Sequence, residues 1–150
     1  MRTATEEYVP FATVDLPEPT SDEKTLAVLA HVLQLFSGFI APLIILLIKR
    51  ESKFVRLHAL QVLFFHIAYL VVLGGFLAAC AIGFVVSLPG MDANEPPVGL
   101  IVLFPILWMG TYAVMLVLAI VYAVKAGRGE WATYPIVGRF AAKVAGVTLP

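Results

Sequence analysis

Three long apolar runs dominate the chain, each bounded by charged or turn-forming residues. Residues 25–48, TLAVLAHVLQLFSGFIAPLIILLI, contain no charge, and about 20 such residues suffice to cross the core of a bilayer. Residues 54–88 open on a charged turn and run apolar from Val62 to Leu88, and residues 98–124, VGLIVLFPILWMGTYAVMLVLAIVYAV, form the third run. Backbone in lipid must satisfy its own hydrogen bonds, so each run is expected to be helical. The pattern predicts an all-α integral membrane protein. Its domain over 25–125 would hold three transmembrane helices, at about 25–48, 57–88 and 98–124.

The flanks differ in character. Residues 1–24 are polar and interrupted by Pro10, Pro17 and Pro19, which reads as a flexible tail rather than a cleavable signal peptide. Beyond the third run, Trp131 and Tyr134 are interface-loving aromatics, and Pro135 suits the first turn of a helix. From there Ile136, Val137, Phe140 and Val144 share one face, with Arg139 and Lys143 on another. Residues 126–150 are therefore expected to form an amphipathic helix and tail on the cytoplasmic membrane surface, its basic face against anionic headgroups.

Charge placement sets an orientation. Of 150 residues 61% are hydrophobic and only 13% charged, about half the charged share of a soluble domain. Formal net charge is zero. The first 24 residues carry six acids (Glu6, Glu7, Asp15, Glu18, Asp22, Glu23), and the connector PGMDANEPP at 89–97 is purely acidic. The first loop holds Lys49, Arg50, Lys53 and Arg56, and the C-terminal segment holds Lys125, Arg128, Arg139 and Lys143. Basic residues in short loops stay in the cytoplasm. With three spans this predicts an N-terminus outside and a C-terminus inside. The alternative folds 25–48 into a re-entrant hairpin broken at Gly38 and Pro42, keeping the N-terminus inside, although each half is then too short to span.

Small and polar residues mark packing seams, because lipid supplies little hydrophobic drive for helix association. Ala27, Ala30, His31, Gln34, Ser37, Gly38 and Ala41 form one stripe. His58, Gln61, Phe65, Ala68, Val72, Gly75, Ala79 and Gly83 form a second, and Trp108, Tyr112, Met115, Ala119, Tyr122 and Ala126 a third. A compact antiparallel bundle is expected.

Candidate chemistry is sparse. With three spans, His31 lies about 9 Å below the outer boundary, His58 near the inner one, and His66 about 12 Å further in. That separation disfavours an intramolecular histidine pair for haem. The spacings HxxxH and HExxH do not occur. His31, Gln34, Gln61 and His66 are expected to hydrogen-bond between helices. The spans lack an interior acid, which argues against a carboxylate-driven pump. Ser37 and Ser87 lack triad partners, and Cys80 sits in an apolar run that disfavours a reactive thiolate. No enzyme activity, cofactor, metal or nucleic-acid partner is expected.

The segment SDEKTLAVLAHVLQLFSGFIAPLIILLIKRESKFVRLHALQ (21–61), with its Pro42-Leu43 pair, Ile-Lys-Arg turn, His58 and Gln61, resembles the signature of a family of small bacterial membrane proteins. They are called Tic-twenty-like, after a distant relative in the chloroplast inner-envelope import machinery. KAGRGEWATYPIVGRF (125–140) resembles that family's closing motif. Members commonly continue with Asn and Gln where this chain has Phe64 and His66. The resemblance implies a multi-pass protein of the bacterial inner membrane, and protein translocation by analogy.

The functional expectation is a non-enzymatic accessory component that self-associates or joins a larger membrane complex. The competing readings are an oligomeric transporter or channel with a lumen lined by His31, Gln34, Gln61 and His66, and a haem-binding redox subunit.

Overall fold

A computed structural model describes residues 16–87 and 98–148. The described residues form five helices and no strand: α1 (Ser21–Ser37), α2 (Ile40–Ile48), α3 (Lys53–Ser87), α4 (Val98–Gly127) and α5 (Val137–Ala145). Most of the proposed tail, residues 1–15, and the acidic connector at 89–97 lie outside them.

The first apolar run is not one span. Gly38 adopts φ +60° and ψ −127°, a conformation that L side chains resist, and its N–H caps α1 on Gln34 O at 3.0 Å. Ser37 joins the two halves: its hydroxyl donates to Leu33 O at 2.8 Å and accepts from Ala41 N–H at 3.3 Å. Pro42 falls in the first turn of α2, where a missing N–H breaks no helical bond. The chain reverses there. Ala30 of α1 and Ile45 of α2 bury together with Val55 and Ala59.

The helix lengths agree with this. The 17 residues of α1 and 9 of α2 reach about 26 Å and 14 Å, short of a hydrocarbon core of about 30 Å. Two helices are long and apolar enough to cross a membrane, Lys53–Ser87 and Val102–Gly127. The first of the three expected transmembrane helices, at 25–48, is replaced by a helical hairpin.

Caps fix the ends. Thr20 and Glu23 form a reciprocal capping box: the Glu23 carboxylate accepts from Thr20 N–H at 2.7 Å, and Thr20 Oγ1 accepts from Glu23 N–H at 3.3 Å. Helix α1 thus starts at Ser21, four residues before the predicted span. Ser52 Oγ accepts from Val55 N–H at 3.2 Å at the start of α3. Gly146, left-handed, ends α5, with Val147 N–H bonded to Ala142 O at 2.9 Å.

Packing is concentrated at one end. Helix α1 lies between α3 and α4, with Ala27, Phe54 and Ala126 in one cluster. Helix α5 docks on Leu57 and Leu60 of α3 through Ala141, Ala142 and Ala145. Beyond His66 the picture inverts. Ile67, Val71, Val72, Ile82, Val85 and Val86 are exposed, as are Val98, Ile106 and Met109 on α4, and α3 and α4 touch only sparsely. Soluble proteins rarely expose contiguous apolar area on this scale, which makes this a membrane protein.

One expectation is corrected here. The compact three-helix bundle is absent. Only His58 and Gln61 of the second stripe are buried, and only Met115, Ala119, Tyr122 and Ala126 of the third, while Trp108, Tyr112 and Val72 are exposed. The start of α1 lies beside the first loop, since the Glu23 carboxylate reaches Ser52 and Lys49. It also adjoins the end of α4, since Lys24 and Pro19 crowd Gly129. The start of α1, the first loop and the end of α4 therefore lie at one end of the molecule.

Candidate functional site

The buried polar side chains of α1 and α3 meet on the segment 130–134, which crosses the closed end as a strap. Helices α1 and α3 run parallel, so one polar stripe on each faces the other. His31 is fully buried and Gln34, His58 and Gln61 nearly or fully so.

The hydrogen bonds have a single direction. His58 Nε2 lies 3.3 Å from Glu130 O; a carbonyl only accepts, so this nitrogen carries the proton. His58 Nδ1 then accepts from His31 Nε2 at 3.0 Å, which leaves His31 Nδ1 to accept from the Tyr134 hydroxyl at 2.9 Å. Gln34 Nε2 donates to His31 O at 2.9 Å, fixing the amide orientation, and more weakly to the Tyr134 oxygen at 3.4 Å. The chain from Gln34 through Tyr134, His31 and His58 to Glu130 is complete with both imidazoles neutral, the tautomers following from the network. Burial pushes the Tyr134 phenol well above its usual value, which keeps it a donor.

Gln61 holds the strap itself. Its Nε2 donates to Ala132 O at 3.1 Å, and its Oε1 accepts from Tyr134 N–H in a short bond. Tyr122 of α4 donates to Thr133 O at 2.5 Å. Rings pack around these bonds: Tyr122 and Phe65 lie 4.3 Å and 5.7 Å from Tyr134, and Trp131 lies 5.1 Å from Phe54. Gln34 Oε1 is buried with no hydrogen-bond partner among the described residues.

The strap ends in a tight approach. Pro135, Ile136 and Val137 form a γ-turn, with Val137 N–H bonded to Pro135 O at 2.8 Å and Ile136 at φ 68°, a strained conformation for a β-branched residue. It turns Ile136 outward, 86% exposed. A Cβ on Gly138 would stand 2.5 Å from Thr133 Cβ, so glycine lets α5 lie against the strap. The apolar face predicted for α5 is outward: Ile136, Phe140 and Val144 are exposed, while the helix docks by Gly138, Ala141, Ala142 and Ala145.

The structure thus brings together four of the five predicted polar residues. His66 stands apart. Its Nδ1 lies 3.3 Å from Val62 O of its own helix, and its Nε2 sits 3.9 Å from where a Cβ of Gly38 would be, at the hairpin tip. The depth argument that separated His31 from His58 fails, because it assumed antiparallel helices. The proposed lumen of His31, Gln34, Gln61 and His66 fails too, because the first three face the strap of their own chain. Both ring nitrogens of His31 and His58 are engaged by protein groups. Among the described residues no three His, Cys, Asp or Glu side chains converge as a metal site would require. Sequence reading missed Tyr134 as the junction, taking it for an interface aromatic, and missed Gly138. The string Tyr-Pro-x-x-Gly was the available signal: a fixed turn followed by a residue without a Cβ.

Of the basic residues, Arg50 and Arg56 line a groove beside α5, and Arg56 donates to Val144 O at 2.9 Å. Lys53, Arg139 and Lys143 are exposed and Lys49 half-buried.

The sequence model of the magnetosome magnetite crystal formation protein family matches residues 22–141. No curated protein and no solved structure matches the chain. The match begins at the capping box and ends within α5, covering the hairpin, both long helices and the strap. It overturns the Tic-twenty-like resemblance drawn from residues 21–61 and 125–140, and with it the analogy to protein import. The chain belongs to the magnetosome magnetite crystal formation protein family.

Proposed function

We propose that this chain is a non-enzymatic accessory protein in magnetite crystal formation, acting as a membrane-embedded platform. The family match supports the process. The observation that carries the accessory role is how the buried polar groups are used: His31, His58, Gln61 and Tyr134 are each engaged in bonds that hold the strap to the helices. A core of this kind rigidifies one end of the molecule and presents α5 at a fixed angle.

The hairpin supports one orientation. Lys49, Arg50, Lys53, Arg56, Lys125, Arg128, Arg139 and Lys143 all fall at the packed end of the two long helices. Positive charge favours the cytoplasm, so the start of α1 and the C-terminal helix both face it, with the end of α3 and the start of α4 on the other side. In a Cys80→Ser background, Glu18→Cys should resist an impermeant maleimide in intact cells while Asp92→Cys reacts. Labelling of both from outside would restore the three-span topology.

The open halves of α3 and α4 suit self-association. Gly75 and Gly83 have no atom within 4 Å of a built Cβ, so a second copy can approach closely along that face.

The functional test is complementation. In a magnetite-forming bacterium lacking its own family member, wild-type chain should restore crystal number and dimensions by electron microscopy. Gly138→Ala should restore them poorly. A correctly inserted wild-type chain that leaves the crystals unchanged would sink the proposal.

A further inference from the structure

At the turn between α2 and α3 and in the first turn of α3, two arginines have no counter-charge among the described residues. Arg50 and Arg56 line one groove of about 400 Å³ with Leu46, Leu47, Leu60 and Val144. Each guanidinium is steadied by a backbone carbonyl: Arg56 Nη2 donates to Val144 O at 2.9 Å, and Arg50 Nε lies 3.5 Å from Leu47 O. Neither has a carboxylate within 4.0 Å among the described residues, whose ion pairs are Lys24–Glu18 and Arg128–Glu130. A guanidinium has five N–H donors in a planar fork, so both keep donors free.

The remaining lining of this groove is aliphatic, and it continues into apolar surface. Ile44, Leu47 and Ile48 of α2 and Phe140 of α5 are exposed. The groove therefore presents positive charge beside hydrocarbon, at the end of the molecule where the long helices leave the bilayer. The complementary ligand is negatively charged at one end and aliphatic at the other. Arginine binds phosphate through paired, charge-assisted bonds.

We propose that Arg50 and Arg56 bind the phosphate of one anionic phospholipid, whose acyl chains lie along α2. The site does not depend on the mineral role. It joins α2, α3 and α5 through a single ligand, so lipid composition would govern how firmly α5 is docked.

Native mass spectrometry of the full chain in detergent with added phosphatidylglycerol or phosphatidylcholine tests this. Wild type should retain one phosphatidylglycerol and discriminate against phosphatidylcholine. Arg50→Gln/Arg56→Gln should weaken retention about 30-fold, as expected from two surface cations. Arg128→Gln, at the same end but paired with Glu130, should change it little. Arg50→Gln alone keeps the Arg56–Val144 bond, hence the fold, and should still lose several-fold. Inorganic phosphate at millimolar concentration should not compete. Undiminished retention in both Arg50 variants, equal retention of the two lipids, or displacement by phosphate would each overturn the proposal.

Discussion

Two buried glutamines separate hydrogen bonding from burial as the source of strength in the polar core. Gln34 and Gln61 are equally hidden, at 1% and 0% exposure, but their partners differ. Gln61 bonds two backbone groups of the strap, Ala132 O and Tyr134 N–H. Gln34 bonds its own helix at His31 O and only weakly reaches Tyr134, and its oxygen has no partner among the described residues. Replacing Gln61 by Leu, of similar volume, strands a buried N–H and a half-buried carbonyl. A stranded buried group costs about 1–3 kcal/mol. The carbonyl, half-buried, falls at the low end, so the total is about 2–4 kcal/mol. Gln34→Leu removes an unsatisfied oxygen together with the two bonds of the amide nitrogen, and should cost about 1 kcal/mol or less.

The assay is unfolding in mixed micelles with increasing dodecyl sulfate, followed by Trp131 fluorescence in a Trp108→Phe background. Trp131 sits in the strap against Phe54 and Trp108 is about half exposed on α4, so the signal reports the strap. Gln61→Leu should unfold much earlier than Gln34→Leu. Equal shifts in the two variants would show that burial alone sets the cost and would refute the reasoning.

Further outcomes follow from the same geometry. Gly138→Ala forces a Cβ to within 2.5 Å of Thr133 Cβ and 3.0 Å of its carbonyl carbon; overpacking costs about 1–3 kcal/mol, and two backbone-fixed partners put this near the top, read in the Trp131 assay. Tyr134→Phe leaves His31 Nδ1 without its donor and should cost about 1–2 kcal/mol, more than Tyr122→Phe, whose partner Thr133 O is half-buried; the same unfolding curves rank them. Glu23 gives a pH dependence: the Ser52 hydroxyl and the Thr20 backbone N–H hold its carboxyl below its usual 4.5. A depressed folded value means its stabilisation is complete above pH 4.5 and fades as pH falls through the lower value. Glu23→Gln should therefore flatten the acid limb of stability against pH, and an unchanged limb would assign it to other carboxylates.

How legible the molecule was depends on which physical signal each part carries. Helix type and the last two spans were plain, because a long apolar run has few solutions in lipid. The polar stripe His31–Gln34 and the pair His58–Gln61 were also plain, because they interrupt apolar runs at helical spacing. The hairpin was visible only as an alternative. Length and composition make 25–48 a good span, and what decides against it is one residue, Gly38, whose positive φ cannot be told from a packing glycine in sequence. That single reversal propagates. It turns α1 from antiparallel to parallel with α3, moves His31 to the depth of His58, and brings the start of α1 to the basic end.

The same reversal explains why the closed end holds every buried polar side chain but His66 among the described residues. A helix that spans must keep its polar groups few and scattered, but a helix that enters and returns can gather them at its mouth. There a strap of backbone supplies carbonyls and N–H groups as partners. Ala132 O, Thr133 O, Glu130 O and Tyr134 N–H are each engaged by a side chain of α3 or α4, and α1 holds the Tyr134 hydroxyl. The strap therefore cannot leave without stranding groups on several helices at once. The γ-turn at Ile136 stores strain of about 1–3 kcal/mol that this set of bonds offsets, and it leaves an apolar side chain exposed beside α5. Rigidity at the mouth and an outward apolar face on α5 are thus one construction, built from Gly38 at one end and Gly138 at the other.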